Sequence, residues 1–249
     1  MLKKLFIYII IKMQTTVSIC TPTYNRREFI PYIINCVENQ SYSQNLIEWI
    51  ILDDGTDKIK DLVENISNVV YIESDEKLPI GKKRNILNDR AKNDIIIYFD
   101  DDDYYPIDRV KHAVTALNAK KNYLIAGSSM LYMYYSHIDK IYSAGPYHLN
   151  HATAGTFAFR RELLKECRFQ DEAVSAEERY FLKDYQIPIC QLNPLKTIIV
   201  LSHMTNTYDK KILLEKKNRM IRITRLKLRK LVKNKKSYNF YKSLGKNIE

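Results

Sequence analysis

Ile95, Ile96, Ile97, Tyr98 and Phe99 run without a break into four aspartates, Asp100, Asp101, Asp102 and Asp103. An apolar run with no polar alternation reads as a strand buried on both faces, and such strands belong to parallel sheets covered by helices. Adjacent carboxylates repel, and each keeps its charge best near a cation, so the aspartates cut the strand off. The chain must therefore turn out at the carboxyl end of that strand.

The same pattern recurs upstream. Residues 17–20 form a short apolar run that stops at Thr21, Pro22 and Thr23, residues 49–52 stop at Asp53, Asp54 and Gly55, and residues 69–72 make a third strand. Between them lie segments with helical spacing: residues 26–39, with Phe29, Ile30, Ile33, Ile34 and Val37 on one face, then 58–66, 81–91 and 108–120, the last with Asp108 placed to cap it. Alternating strands and helices predict an α/β fold with a mostly parallel sheet flanked by helices. Ligands in such sheets bind outside the carboxyl ends of the strands, where residues 21–25, 53–57 and 100–103 gather acids and hydroxyls at one edge. Beyond about residue 122 the pattern turns strand-rich, over 123–135 and 138–142. A small-residue stretch at 152–156, helices near 161–166 and 176–185, and a last strand at 197–201 follow.

Composition narrows the class. With 249 residues, 45% of them hydrophobic, the chain can bury a core of one large domain or two small ones. No stretch reaches the roughly 18–20 apolar residues of a membrane span. Four scattered cysteines without a Cys-x-x-Cys pair suit a reducing compartment, hence a cytoplasmic protein. The net charge of +11 is not spread evenly: residues 209–249 hold 15 Lys or Arg against 3 acids, and residues 1–208 hold 25 against 26. A neutral body with a basic appendage points to an anionic surface met by the tail, not to a domain built on nucleic acid. The expected organisation is an extension over residues 1–12, a folded domain over 13–208 and a basic helical tail over 209–249. The extension is read as disordered, as a weak membrane contact, or as untranslated.

Several groups could carry chemistry. The aspartate run at a strand end makes a hard oxygen site suited to Mg²⁺ or Mn²⁺ that also grips phosphate. A calcium loop fails there, because Tyr105 stands where the turn needs glycine. Asp53, Asp54 and Gly55 make a turn whose carboxylates can accept from a base or ribose. Gly81, Lys82, Lys83, Arg84 and Asn85 put cations at a helix start, where a diphosphate can be held. Glu177 and Glu178 open another helix, and either could serve as a general base. Each has a plainer structural reading: an acidic turn, a glycine turn, a solvated basic face, acids placed well at a helix start. His203, after the last strand, reads alone as structural. No Gly-x-Gly-x-x-Gly or phosphate-binding loop is present, which speaks against a dehydrogenase or an ATPase.

Taken in order, these pieces resemble the family 2 glycosyltransferases, enzymes of the GT-A fold. They are Val17-Ser18-Ile19-Cys20-Thr21-Pro22-Thr23-Tyr24-Asn25-Arg26, Ile51-Leu52-Asp53-Asp54-Gly55-Thr56, Gly81-Lys82-Lys83-Arg84-Asn85, Tyr98-Phe99-Asp100-Asp101-Asp102-Asp103, Gly155-Thr156-Phe157-Ala158-Phe159-Arg160, Ala176-Glu177-Glu178, and His203 with Asn206 and Thr207. The resemblance implies a nucleotide pocket lined by Thr21, Pro22, Tyr24, Asp53 and Asp54, with Arg84 ordering the diphosphate. It implies a donor site touched by Asp100, Asp101, Gly155 and Thr156, and Mn²⁺ or Mg²⁺ held by Asp102, with Asp100 and His203 nearby. It implies transfer from a nucleotide-sugar donor, UDP favoured, to a glycan, lipid-linked or protein acceptor with inversion. The family often has Glu-Asp where this chain has Glu177-Glu178, so the base is placed on Glu178 with Glu177 left open. Tail residues 210–236 could form a basic amphipathic helix on an anionic membrane surface, or equally a helix packed on the domain. The rivals are a sugar-nucleotide nucleotidyltransferase, which lacks its glycine-rich loop here, and a nucleic-acid-binding protein acting through the tail, which the neutral body disfavours.

Overall fold

The computed structural model describes residues 14–204, 206, 210–215 and 218–245. The expected extension over 1–12 and the motif residue Thr207 lie outside the described residues. In chain order the elements are β1 (Val17–Thr23), α1 (Ile30–Glu38), β2 (Ile47–Asp53), α2 (Lys60–Val63), β3 (Val69–Glu73), α3 (Ile80–Arg90), β4 (Ile95–Tyr98), α4 (Arg109–Ala119), β5 (Ile125–Gly127), β6 (Leu131–Tyr135) and β7 (Lys140–Ala144). There follow β8 (Ala158–Arg160), α5 (Glu178–Phe181), β9 (Ile189–Gln191), β10 (Ile199–Ser202), α6 (Ile212–Glu215), β11 (Ile221–Ile223), α7 (Leu228–Leu231) and α8 (Lys235–Ser243).

Seven strands form the central sheet in the order β3-β2-β1-β4-β8-β5-β9. Every neighbouring pair is parallel except those of β8, which runs antiparallel to β4 and β5. The unbroken apolar strands are explained by their side-chain alternation. On β4, Ile95 and Ile97 (with Phe99 beyond it) join a core with α1 and α4, while Ile96 and Tyr98 join a second core with Leu87 of α3 and Phe157, Phe159 and Phe181. Both faces are therefore covered, and each fully buried isoleucine contributes roughly 1.5–3 kcal/mol. The expected spacing on α1 holds, with Ile30, Ile33 and Val37 buried.

A second sheet, β10-β6-β7-β11, packs beside the first. Within the strand-rich stretch expected over 123–142, β6 and β7 pair antiparallel. Isolated bridging bonds between Tyr104 and Ile199 tie this sheet to the loop after β4.

Three local expectations change. Asp108 does not cap α4 through its side chain. Its carboxylate instead accepts from Ser41 at 2.8 Å and pairs with Lys196 at 3.7 Å. The helix expected over 176–185 is a single turn, α5, followed by Lys183, Asp184 and Tyr185 at φ of 50°, 55° and 62°. The helix expected near 161–166 is instead a 3₁₀ helix, Arg161–Lys165. The basic tail is also not one helix among the described residues. β11 adds to the edge of the second sheet, and Leu228, Val232 and Tyr241 are buried against Tyr134, Ile141, Ile199 and Leu201. This is why its apolar positions show no single stripe: they serve several short elements facing one core. Phe240 of α8 stacks on Tyr32 at 3.9 Å and meets Phe29 edge-on at 5.2 Å. No helix among the described residues is long and apolar enough to cross a membrane.

Candidate active site

The carboxyl ends of β1, β2 and β4 lie side by side, and the expected site residues converge there. At the end of β2, Asp53 is spent on the fold. One carboxylate oxygen accepts from Gly55 N–H at 2.9 Å, the other from Ile59 N–H at 2.9 Å and Tyr71 O–H at 2.6 Å. Asp54 accepts from Leu78 N–H at 2.7 Å and pairs with buried Lys83 at 2.5 Å. Asn25, left-handed at φ 53°, staples the β1 loop to this turn by accepting from Thr56 and Asp57 N–H at 2.8 and 3.1 Å. A Cβ on Gly55 would stand 2.6 Å from the Asn25 backbone nitrogen, so only glycine lets the two loops meet. Tyr24 carries the Lys77 ammonium 4.4 Å above its ring. Pro22 is buried, and the fully buried Thr21 hydroxyl accepts from Trp49 Nε1 at 2.9 Å, so both shape the wall from behind.

The four aspartates divide by partner. Asp103 accepts from Leu201 N–H at 2.8 Å and anchors β10. Asp102 faces His203 Nε2 at 3.2 Å, Asn206 Nδ2 at 3.2 Å and Arg26 at 3.7 Å. Burial opposes its charge, but the His203 bond, with Lys210 and Arg26 nearby, holds it below the usual carboxylate range. Asp101 is pushed up to about 8 by burial and then by Asp102, against the pull of Thr23 and Arg26. Asp100 is also raised by burial, although Arg84 pulls it down. His203 is set by Phe29, ring to ring at 4.7 Å, and its backbone N–H is held by Asn206 at 2.8 Å. Tail helix α8 thus backs the ring that backs His203.

Arg84 crosses the floor of the site with 4% of its surface exposed. Its Nε donates to Glu177 at 2.8 Å and its Nη2 to Asp100 at 3.2 Å, while the guanidinium lies 4.5 Å over Tyr98. Nη1 is buried without a hydrogen-bond partner. Glu177 is thereby committed to Arg84. Glu178, at the start of α5, has no such partner, and burial followed by the Glu177 charge pushes it up to about 7. A Cβ on Gly155 would fall 2.7 Å from Asp100 Oδ2, so glycine leaves the space over that carboxylate open. Thr156 is buried behind it, donating to Thr153 O at 2.7 Å and accepting from Ser128 N–H at 3.0 Å. A groove of about 840 Å³ continues from Glu177 between residues 166 and 186.

Among the described residues no three His, Cys, Asp or Glu side chains converge as a ready cage for a metal. Asp102 and His203 supply one carboxylate oxygen and one imidazole nitrogen beside carboxyls that burial raises. That donor chemistry fits Mn²⁺ or Mg²⁺ completed by phosphate oxygens and water. Arg26, Lys83 and Asn206 carry contacts that spacing alone did not reveal. The acids they pair with lie 29 or more residues away in sequence, so no local signal marks them.

The family model for Glycosyl transferase family 2 matches residues 18–168. The poly(ribitol-phosphate) beta-N-acetylglucosaminyltransferase TarS of Staphylococcus aureus is 28% identical over 107 residues, 41% of this chain and 18% of its own. The abequosyltransferase RfbV of Salmonella typhimurium is 35% identical over 75 residues, 28% of this chain and 22% of its own. These matches span less than a quarter of either relative. Among solved structures, S. aureus TarS 1–349 in complex with UDP-GlcNAc superposes with a TM-score of 0.60 at 21% identity, covering 77% of this chain and 60% of that one. The mannosyltransferase PcManGT from Pyrobaculum calidifontis, in complex with GDP-Man and Mn²⁺, gives 0.62 at 16% identity, covering 78% and 59%. The shared architecture is the GT-A fold.

Proposed function

The chain belongs to glycosyl transferase family 2, and we propose that it moves a sugar from a UDP-sugar to a hydroxyl of a glycan acceptor, with inversion at the anomeric carbon. The observation that carries this reading is the division of labour between the two glutamates. Arg84 engages Glu177 at 2.8 Å, while Glu178 stands free of that pair and is pushed up to about 7. A carboxylate with a pKa near the working pH is the best compromise between being ionised and being basic. Glu178 takes the proton from the acceptor hydroxyl as its oxygen attacks the anomeric carbon, on the face opposite the departing diphosphate. The carbon–oxygen bond to the diphosphate breaks as the new glycosidic bond forms, and the nucleoside diphosphate leaves. The unpartnered Nη1 of Arg84 is a buried donor suited to a diphosphate oxygen. Tyr24 and the loop braced by Asp53 and Asp54 border the base and ribose. Asp102 and His203 would hold Mn²⁺ or Mg²⁺, which would supply positive charge against the leaving group. UDP is favoured because TarS is a structural neighbour with UDP-GlcNAc bound.

The pH dependence tests the base. Transfer requires Glu178 ionised, and the ionised fraction rises as pH climbs through about 7. With UDP-GlcNAc as donor, kcat/KM rises about tenfold per pH unit on the acid limb and levels off on the alkaline side. A profile flat from pH 5 to 9 contradicts the assignment. The exposed cations Arg222, Arg225, Lys227, Lys230, Lys233, Lys235 and Lys236 also give the tail an acid-free basic face. That face draws the enzyme to anionic surfaces, a membrane or a lipid-linked acceptor among them. Flotation with anionic vesicles and none with neutral ones is the expected result, and equal behaviour with both removes the membrane contact.

A further inference from the structure

Four rings gather where the chain turns after α5, the helix that Glu178 opens: Tyr147, His148 and His151 lie outside both cores, and Tyr185 packs at the margin of the second. His151 lies 4.6 Å from Tyr147, 5.7 Å from His148 and 5.2 Å from Tyr185, the last pair stacked at 29°. His148 meets Tyr185 edge-on at 5.3 Å. The group is open to solvent: Tyr147 is 41% exposed and His148 is exposed. Burial, and after it the Glu178 charge, raises the Tyr185 phenol, which places that ring within electrostatic reach of the general base.

Two features show that the cluster is built and not a loose loop. The first is backbone strain. Lys183, Asp184 and Tyr185 are three consecutive left-handed residues, none of them glycine. The left-handed region crowds Cβ against the following carbonyl oxygen, and a bulky tyrosine there is a genuine outlier. Strain of this kind persists where the surroundings over-determine it, and it clusters at functional sites. Here it turns the chain straight after α5, so that Tyr185 comes back against His148 and His151. The second is a clamp from the central sheet. Gln191 of β9 donates through Nε2 to Leu149 O at 2.7 Å and His151 O at 2.9 Å, while its Oε1 accepts from Ser129 N–H at 2.9 Å. Tyr147 N–H also donates to Ser129 O at 3.3 Å. The rings are thus held by β9 and by the segment before β6.

We propose that Tyr147, His148, His151 and Tyr185 form the acceptor subsite, a platform on which the carbon face of a sugar or alditol stacks beside Glu178. A pyranose has an apolar C–H face and a polar rim, and this platform offers ring faces edged by a phenol and imidazole nitrogens. The two histidines do not make a metal site, since no third ligand joins them among the described residues. The inference rests on the transferase reading, with Glu178 as base.

The test is saturation-transfer NMR with methyl β-D-glucopyranoside, N-acetyl-D-glucosamine and ribitol, each added to the full chain with UDP and the diamagnetic Mg²⁺. At least one probe takes up saturation at its carbon-bound protons in the wild type. Tyr185→Ala and His151→Ala lower that signal about tenfold, whereas Tyr185→Phe, which keeps the ring, retains it. UDP still raises the melting temperature of each variant by the wild-type amount, which shows that the variants fold. Undiminished saturation in Tyr185→Ala, or none with any probe in a wild type that binds UDP, overturns the platform and leaves the donor site standing. A wild type that binds no nucleotide overturns the transferase reading instead.

Discussion

Glu178→Gln lowers the transfer rate by about 10²–10⁴-fold and leaves UDP-sugar affinity where it was. The substitution keeps size and hydrogen bonding but removes a group whose pKa is pushed to about 7 without a fixed cationic partner. Donor binding rests elsewhere, on the loops after β1 and β2 and on the aspartate run. The loss therefore falls on kcat, and what remains loses its acid limb between pH 6 and 8. Glu177→Gln behaves differently, because it breaks a buried ion pair with Arg84 at 2.8 Å and costs stability as well as rate. Near-normal turnover in Glu178→Gln moves the base to Glu177. Steady-state kinetics on both variants, with donor affinity measured separately, decides between them.

Arg84→Met lowers stability by about 3–5 kcal/mol, because it strands the buried Glu177 carboxylate and the half-buried Asp100 carboxylate that share one cation. Asp100 and Glu177 both bond to Arg84, which is only 4% exposed. For a chain of this length the melting temperature falls by on the order of 10 °C. Arg84→Lys recovers only part of the loss, since an ammonium cannot reproduce a fork aimed at two acids. A melting temperature equal to wild type in Arg84→Met would show that the network is a surface feature.

Much of this arrangement is legible in the sequence. The unbroken run of residues 95–99 implied a two-sided burial, and the split of Ile95 and Ile97 from Ile96 and Tyr98 between two cores is its physical form. The acids and hydroxyls after β1, β2 and β4 do meet at one edge. What could not be read were elements set by tertiary pairing. β9 and β11 have three residues each, too few for periodicity to show, and exist because β5 and β7 offer edges. α5 is one turn, because the chain reverses at Lys183–Tyr185 where helical spacing would have carried it on. Nor does sequence distinguish four adjacent aspartates. Asp103 serves β10, Asp102 faces His203 and Asp100 faces Arg84, a sorting made by residues 84 to 203. Asp53 and Asp54 look like free acceptors in a turn, yet every oxygen of the pair is engaged. Their part in a nucleotide pocket is to hold its wall in shape.

Thermal unfolding against a panel of UDP-, GDP- and dTDP-sugars, each with Mn²⁺ and with EDTA, addresses the central claim most directly. A donor at about 100 times its dissociation constant adds roughly 2.7 kcal/mol to the folded state. For this length that is an upward shift of at least about 5 °C. The account predicts such a shift for a UDP-sugar with Mn²⁺ and its loss in EDTA. No shift from any nucleotide sugar, with or without metal, would contradict it and reduce the aspartate run after β4 to a structural turn.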